Sequence, residues 1–126
     1  MNNLWLIRVA IALVWLYQGL WCKLLGRMPH DEAVIGSVPF LAAQAHSSLL
    51  LVGVLECVLA IWVLCGRWAF GAALAQTVLL AIMNAGGVFW ASAIIPDPVG
   101  MLFQNFAFLL LVWIAAREVH PHAAHA

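Results

Sequence analysis

The stretch S-S-L-L-L-V-G-V-L-E-C-V-L-A-I-W-V-L-C, Ser47 to Cys65, decides the fold. It is apolar from end to end except for two serines at its start and one carboxylate, Glu56, near its middle. A helix needs about 20 such residues to cross a hydrocarbon core roughly 30 Å thick, and this run meets that length. Working outward, three more runs do the same: Leu4 to Leu25, Ala69 to about Ile94, and Pro98 to Ala116. An ionisable side chain placed in the middle of such a helix costs several kcal/mol in lipid, so Glu56 calls for a partner or a function.

The whole composition agrees with bilayer burial. Of 126 residues, 67% are hydrophobic and 8% charged, against about half and about a quarter in water-soluble domains. The apolar residues fall in long runs rather than the short alternating strands of an outer-membrane barrel. The expected fold is all-α, a single transmembrane four-helix bundle over residues 1–126, with spans at 4–25, 47–65, 69–94 and 98–116, an interfacial loop at 26–46 and a polar tail at 117–126. Residues 4–25 are too long for the apolar part of a signal peptide and lack a small-residue cleavage site, so a retained first span is expected. Net charge is zero, with five basic and five acidic residues. That leaves no electrostatic footprint for nucleic acid and no polybasic lipid-binding patch.

The links carry their own signals. The 26–46 segment holds Arg27, His30, Asp31, Glu32, Gly36, Pro39 and His46, and a short helix is expected within it. In Gly66-Arg67-Trp68, the glycine is placed to close the second span and Arg67 and Trp68 to lie at headgroup level, which makes spans two and three an antiparallel hairpin. In Pro96-Asp97-Pro98, Asp97 is placed to cap the fourth helix and Pro98 to occupy its first turn. Arg8, Arg67 and Arg117 fall on the side of both termini, Lys23 and Arg27 on the other, so positive charge puts the termini in the cytoplasm. For a bacterial source that means the inner membrane.

Heights counted at about 1.5 Å per residue along alternating helices bring Gln18, Glu56, Asn84 and Asn105 to similar depth. Amides can donate to a carboxylate, so Glu56 is a candidate proton-exchanging residue in a polar cluster. The same four residues also read as a structural network, with interhelical bonds of about 0.6 to 2 kcal/mol each. Gly53, Glu56 and Ala60 share one stripe, which aims Glu56 at a neighbouring helix. Arg8, Trp15, Gln18, Gly19 and Cys22 share a face of the first span, the expected inward face. Arg8 pairs in depth with Gln76 or snorkels to the headgroups. Trp5, Trp21, Trp68 and Trp90 fit interface anchors, while Trp15, Trp62 and Trp113 lie deeper.

Cys22, Cys57 and Cys65 have no metal or redox spacing, and Cys22 stands too far in height from the other two for a disulfide. They read as small buried hydrophobes. His30, Glu32 and His46 have no compact ligand spacing, and His120, His122 and His125 read as part of a frayed tail before a weak metal site. No metal site is expected.

The run W-L-Y-Q-G-L-W-C-K-L-L, Trp15 to Leu25, resembles the opening of the DoxX-like membrane proteins. The polar H-D-E segment after the first span, the G-V-L-E run at Glu56, the Gly-Arg turn and the four-span layout are similar across nearly the whole chain. The positions that match are Trp15, Gln18, Gly19, Lys23 and Glu56. The family's name comes from a membrane subunit associated with thiosulfate:quinone oxidoreduction, so the resemblance implies a small membrane subunit of a quinone-linked redox system. A quinone would then lie near Trp15, Gln18, Lys23, Asn84 and Asn105, with Glu56 exchanging the proton. The chain carries no flavin, haem or iron–sulfur motif, so a redox partner protein would supply the electrons. Family likeness does not make the chain an enzyme. The alternative is a non-enzymatic scaffold or assembly factor that docks a partner through residues 26–46, and a transporter comes third. Gly and Ala stripes would also suit a homodimer.

Overall fold

In a computed structural model, residues 3–125 are described, and they form an all-α bundle with no strand among them. Helix α1 covers Asn3–Leu16 and continues as a π-helical segment, Tyr17–Leu24. A short helix α2, Pro29–Gly36, and a single 3-10 turn, Ala42–Gln44, lead into α3, Ala45–Cys65. Helix α4 is Ala69–Trp90 and α5 is Pro98–His125. Four stretches are long and apolar enough to cross a membrane: Leu4–Leu24, Ala42–Cys65, Ala69–Trp90 and Pro98–Glu118. An even number of spans leaves both chain ends on one side, called the terminal side here; α2 lies at the opposite, loop side.

The helices do not pack in simple sequence order. α1 and its π continuation lie along α3, α1 also meets α5, and α5 pairs with α4. The hairpin partners α3 and α4 touch much less than either pair, so the turn joins them without making them the main contact. Ile11, Ala12, Trp15, Leu59, Ala60, Ala73, Leu80, Val112 and Ala115 form the buried core. Side chains such as Leu6, Leu13, Leu51, Ile61, Ile82 and Phe103 are left exposed, an apolar surface that suits lipid and not water.

The helix ends follow local chemistry. α3 stops at Gly66, whose φ of 71° is open to a residue without a Cβ, and the Gly66 N–H donates to Trp62 O at 3.2 Å. Asp97 caps α5: its Oδ1 accepts from the Gly100 N–H at 3.0 Å and Pro98 takes the first helical position. The third span ends four residues earlier than its apolar run, at Trp90 instead of Ile94. Ile94 and Ile95 both donate to Ala91 O in a turn. Pro96 disfavours helix in the residue before it, and the Ile95 side chain folds back to where a Cβ on Gly87 would meet it at 3.0 Å. At the other end, α5 runs past the expected span into the tail. The side chains of His120, His122 and His125 lie outside those described.

Candidate functional site

The first span winds as an ordinary helix only to Leu16. Over Tyr17–Leu24 the chain winds as a π-helix, with bonds that reach five residues back, as from Leu25 N to Leu20 O at 2.9 Å, so each residue turns less than in an α-helix. An α-helical count puts Lys23 about 80° round from Trp15, at the rim of the inward face. The slower winding brings it back inward, and Gly19, Cys22 and Lys23 are the buried residues of this segment.

Two glycines let this segment approach α3. A Cβ on Gly19 would sit 2.6 Å from Gly53 O and 2.9 Å from Glu56 Cβ, and a Cβ on Gly53 would sit 3.0 Å from Lys23 Cβ. The stripe Gly53, Glu56, Ala60 is thus spent inside the chain, which removes it as a surface for a second copy.

Lys23 and Glu56 meet across this contact. Lys23 Nζ lies 2.9 Å from Glu56 Oε1, with Lys23 5% and Glu56 0% exposed. Nζ also donates to the backbone carbonyl of Gln18 at 3.4 Å and stands 3.8 Å from Oδ2 of Asp31 on α2. The Oε1 contact is an ion pair off the direction a hydrogen bond needs. Glu56 Oε2 and Asp31 Oδ2 are buried with no hydrogen-bond partner among the described residues. Two carboxylates therefore share one ammonium. Removing such groups from water is costly unless they are paired and hydrogen-bonded, and here acceptors are left over.

The four polar side chains expected at one depth are not joined into one cluster. Asn105 Nδ2 donates to Asn84 Oδ1 at 2.7 Å, tying α5 to α4. Gln18 is half-buried and contributes its carbonyl to the site. Trp15 donates through Nε1 to Gln76 Oε1 at 2.8 Å, both buried, and Trp113 donates to Thr77 Oγ1 at 2.9 Å. Height along a helix does not fix the direction a side chain faces, which depends on which helices pair and on the π segment.

Arg8 neither pairs with Gln76 nor snorkels freely. Its Nε donates to Val63 O at 3.1 Å and its Nη2 to Leu64 O, placing a cation on the negative end of α3. A cavity of about 30 Å³ lies there, lined by Arg8, Gln76, Trp62, Gly66, Ala69 and Val112 among others. It has room for about one water.

On the loop side, Glu32 Oε1 and His46 Nδ1 are 2.8 Å apart and exposed. His30 stays outside that contact, and no group of three His, Cys, Asp or Glu that could hold a metal occurs among the described residues. Cys22 is buried, Cys57 half-buried and Cys65 exposed, all as free thiols.

Sequence reasoning named Lys23 and Glu56 but missed that they are partners, and missed Asp31. The signal available was the count of one buried acid on α3 against one base at the inner rim of the first span. A search of the curated proteins and of the solved structures finds no match. The family model described as the DoxX-like family matches residues 12–113, a region that takes in Lys23, Asp31, Glu56, Asn84 and Asn105. With four membrane-spanning helices and a match over most of its length, the chain belongs to the DoxX-like family.

Proposed function

We propose that this chain is a small membrane subunit of a quinone-linked redox system, in which Glu56 takes up and releases a proton that accompanies quinone chemistry. The observation that carries the proposal is the buried Lys23–Glu56 pair with Glu56 Oε2 left unpartnered. A tie that only held helices together would be served by an amide, as Asn84 and Asn105 do. A carboxylate in this position carries a cost that proton exchange explains.

Converting quinone to quinol takes two electrons and two protons. A partner redox protein supplies the electrons, since the chain has no electron-carrying motif. Glu56 hands on the protons one at a time, and Lys23 steadies its carboxylate between transfers. Gln18, half-buried next to Lys23, offers an amide to a ring carbonyl. Asn84, Asn105 and Trp15 have partners already and are assigned to shaping the bundle around the site. Glu56 is fully buried, so a ring reaches it by parting the lipid-facing side chains along the first span and α3. The membrane is the bacterial inner membrane in this account, with both termini cytoplasmic.

The test is to extract lipophilic rings from detergent-purified wild type and Glu56→Gln. Quinone enriched in wild type and lost in the variant supports the proposal. Absence of quinone from both, or partner capture unaffected by Glu56→Gln, points to the scaffold instead.

A further inference from the structure

Lys23 Nζ touches two carboxylates that differ in one respect. Glu56 is sealed, at 0% exposed, whereas Asp31 is 25% exposed. Asp31 belongs to α2, which lies against α3, α4 and the π segment at the loop side. We infer that Asp31 is the residue through which Glu56 exchanges protons with water, and that this exchange opens to the loop side alone. The inference rests on the proton-exchanging role of Glu56 proposed above and adds its route and direction.

Each atom on the route has an acceptor or donor to spare. Asp31 Oδ2 has no hydrogen-bond partner among the described residues and faces Nζ at 3.8 Å, a gap that a small motion of the lysine closes. Asp31 takes a proton from water. Lys23 passes one of its three N–H protons to Glu56 Oε1 and regains one from Asp31, ending as the ammonium it was. The proton has then moved from water to Glu56, and Asp31 is again a carboxylate. Release runs the same steps in reverse.

Toward the terminal side the way is closed. The next buried residues along α3 are Leu59, Ala60 and Val63, packed with Ile11, Ala12 and Trp15. The indole N–H of Trp15 is already used on Gln76. The titratable and charged groups around Glu56 are Lys23 and Cys22 from the π segment, Asp31 from α2 and Cys57 beside it on α3, and Tyr17 of the π segment stands beside Cys22 and Asp31. Helix α4 carries no titratable side chain, and α5 carries none before Arg117. Glu32, next to Asp31, faces away to His46, so neighbouring acids on one helix serve separate contacts.

Dicyclohexylcarbodiimide, an apolar reagent that adds to protonated carboxyls within membranes, reads this without any quinone. The full chain is placed in phosphatidylethanolamine and phosphatidylglycerol vesicles, its insertion direction scored with an impermeant reagent on an end tag. Adduct at Glu56 is then measured by mass spectrometry with pH set independently on each side. Acidifying the loop side from about pH 8 to about pH 5 is expected to raise labelling at least about fivefold, and acidifying the terminal side alone to change it less than about twofold. Asp31→Asn should remove the response to loop-side pH, Asp31→Glu should keep it, and Glu32→Gln should leave it as in wild type. Labelling that follows terminal-side pH, or an Asp31→Asn response equal to wild type, overturns the route while leaving Glu56 as the exchanger. No labelling at any pH on either side overturns proton exchange itself. Labelling that follows the loop side in protein that never retains quinone keeps the route and removes the quinone.

Discussion

Lys23 turns its ammonium into the bundle, 2.9 Å from Glu56 Oε1, although its backbone stands near the loop-side end of the first span. Lysines at span ends usually extend outward to the headgroups. Here the π segment, the Gly19–Gly53 contact and the Gln18 carbonyl together reverse that preference.

Breaking the pair from one side should therefore be costly. Lys23→Met leaves Glu56 buried without its cation and is expected to destabilise the detergent-solubilised protein by about 3 to 5 kcal/mol. The double variant Lys23→Met/Glu56→Leu should recover most of that loss, because apolar side chains of similar volume need no hydration. Unfolding midpoints of the three proteins check this; a double variant as unstable as the single would count against the pair as the cause.

Gly19→Ala pushes a methyl group against Gly53 O and Glu56 Cβ. Both obstacles belong to backbone or to its first side-chain atom, so the segment must move away from α3, at about 1 to 3 kcal/mol. Glu56 should at the same time react faster with dicyclohexylcarbodiimide than it does in wild type. Stability measured beside reagent accessibility tests both halves.

Trp15→Phe keeps an aromatic ring, though a smaller one that leaves a gap in the core, and removes the donor to Gln76. Gln76 is 2% exposed, and leaving its Oε1 unpaired should cost about 1 to 3 kcal/mol. Adding Gln76→Leu to Trp15→Phe should regain part of it, which thermal unfolding of the single and double variants will show.

At the terminal side, Gly66→Ala meets two obstacles. The residue holds φ at 71°, and a Cβ would lie 2.5 Å from Arg8 Nη2. The left-handed backbone alone costs about 1 to 2 kcal/mol for a residue with a side chain. By contrast Glu32→Gln removes an exposed contact to His46 and should change stability by less than about 1 kcal/mol. Unfolding midpoints should separate the two clearly.

Much of the fold was legible in the sequence because bilayer burial imposes run length, and Ser47 to Cys65 could hardly be anything but a span. Gly66 and Asp97 were legible for a local reason: a cap depends on a few neighbouring atoms. The site was legible only in part. Glu56 stands out by composition, but its partner depends on how far the first helix turns between Trp15 and Lys23. No side-chain pattern in Y-Q-G-L-W-C-K-L announces slower winding. Asp31 was hidden for another reason, since residues 26–46 look like a surface link until α2 folds against the bundle. The Asn84–Asn105 pair shows the limit of depth counting, as the two helices bond to each other and leave Glu56 to Lys23.

The most direct test of the central claim is a redox-induced infrared difference spectrum of the full chain reconstituted with a membrane quinone, recorded for wild type and Glu56→Gln. Reduction of the quinone should change a carboxyl band in wild type, and that band should be missing from the Glu56→Gln spectrum. Identical carboxyl regions in the two proteins would contradict proton exchange between Glu56 and a quinone.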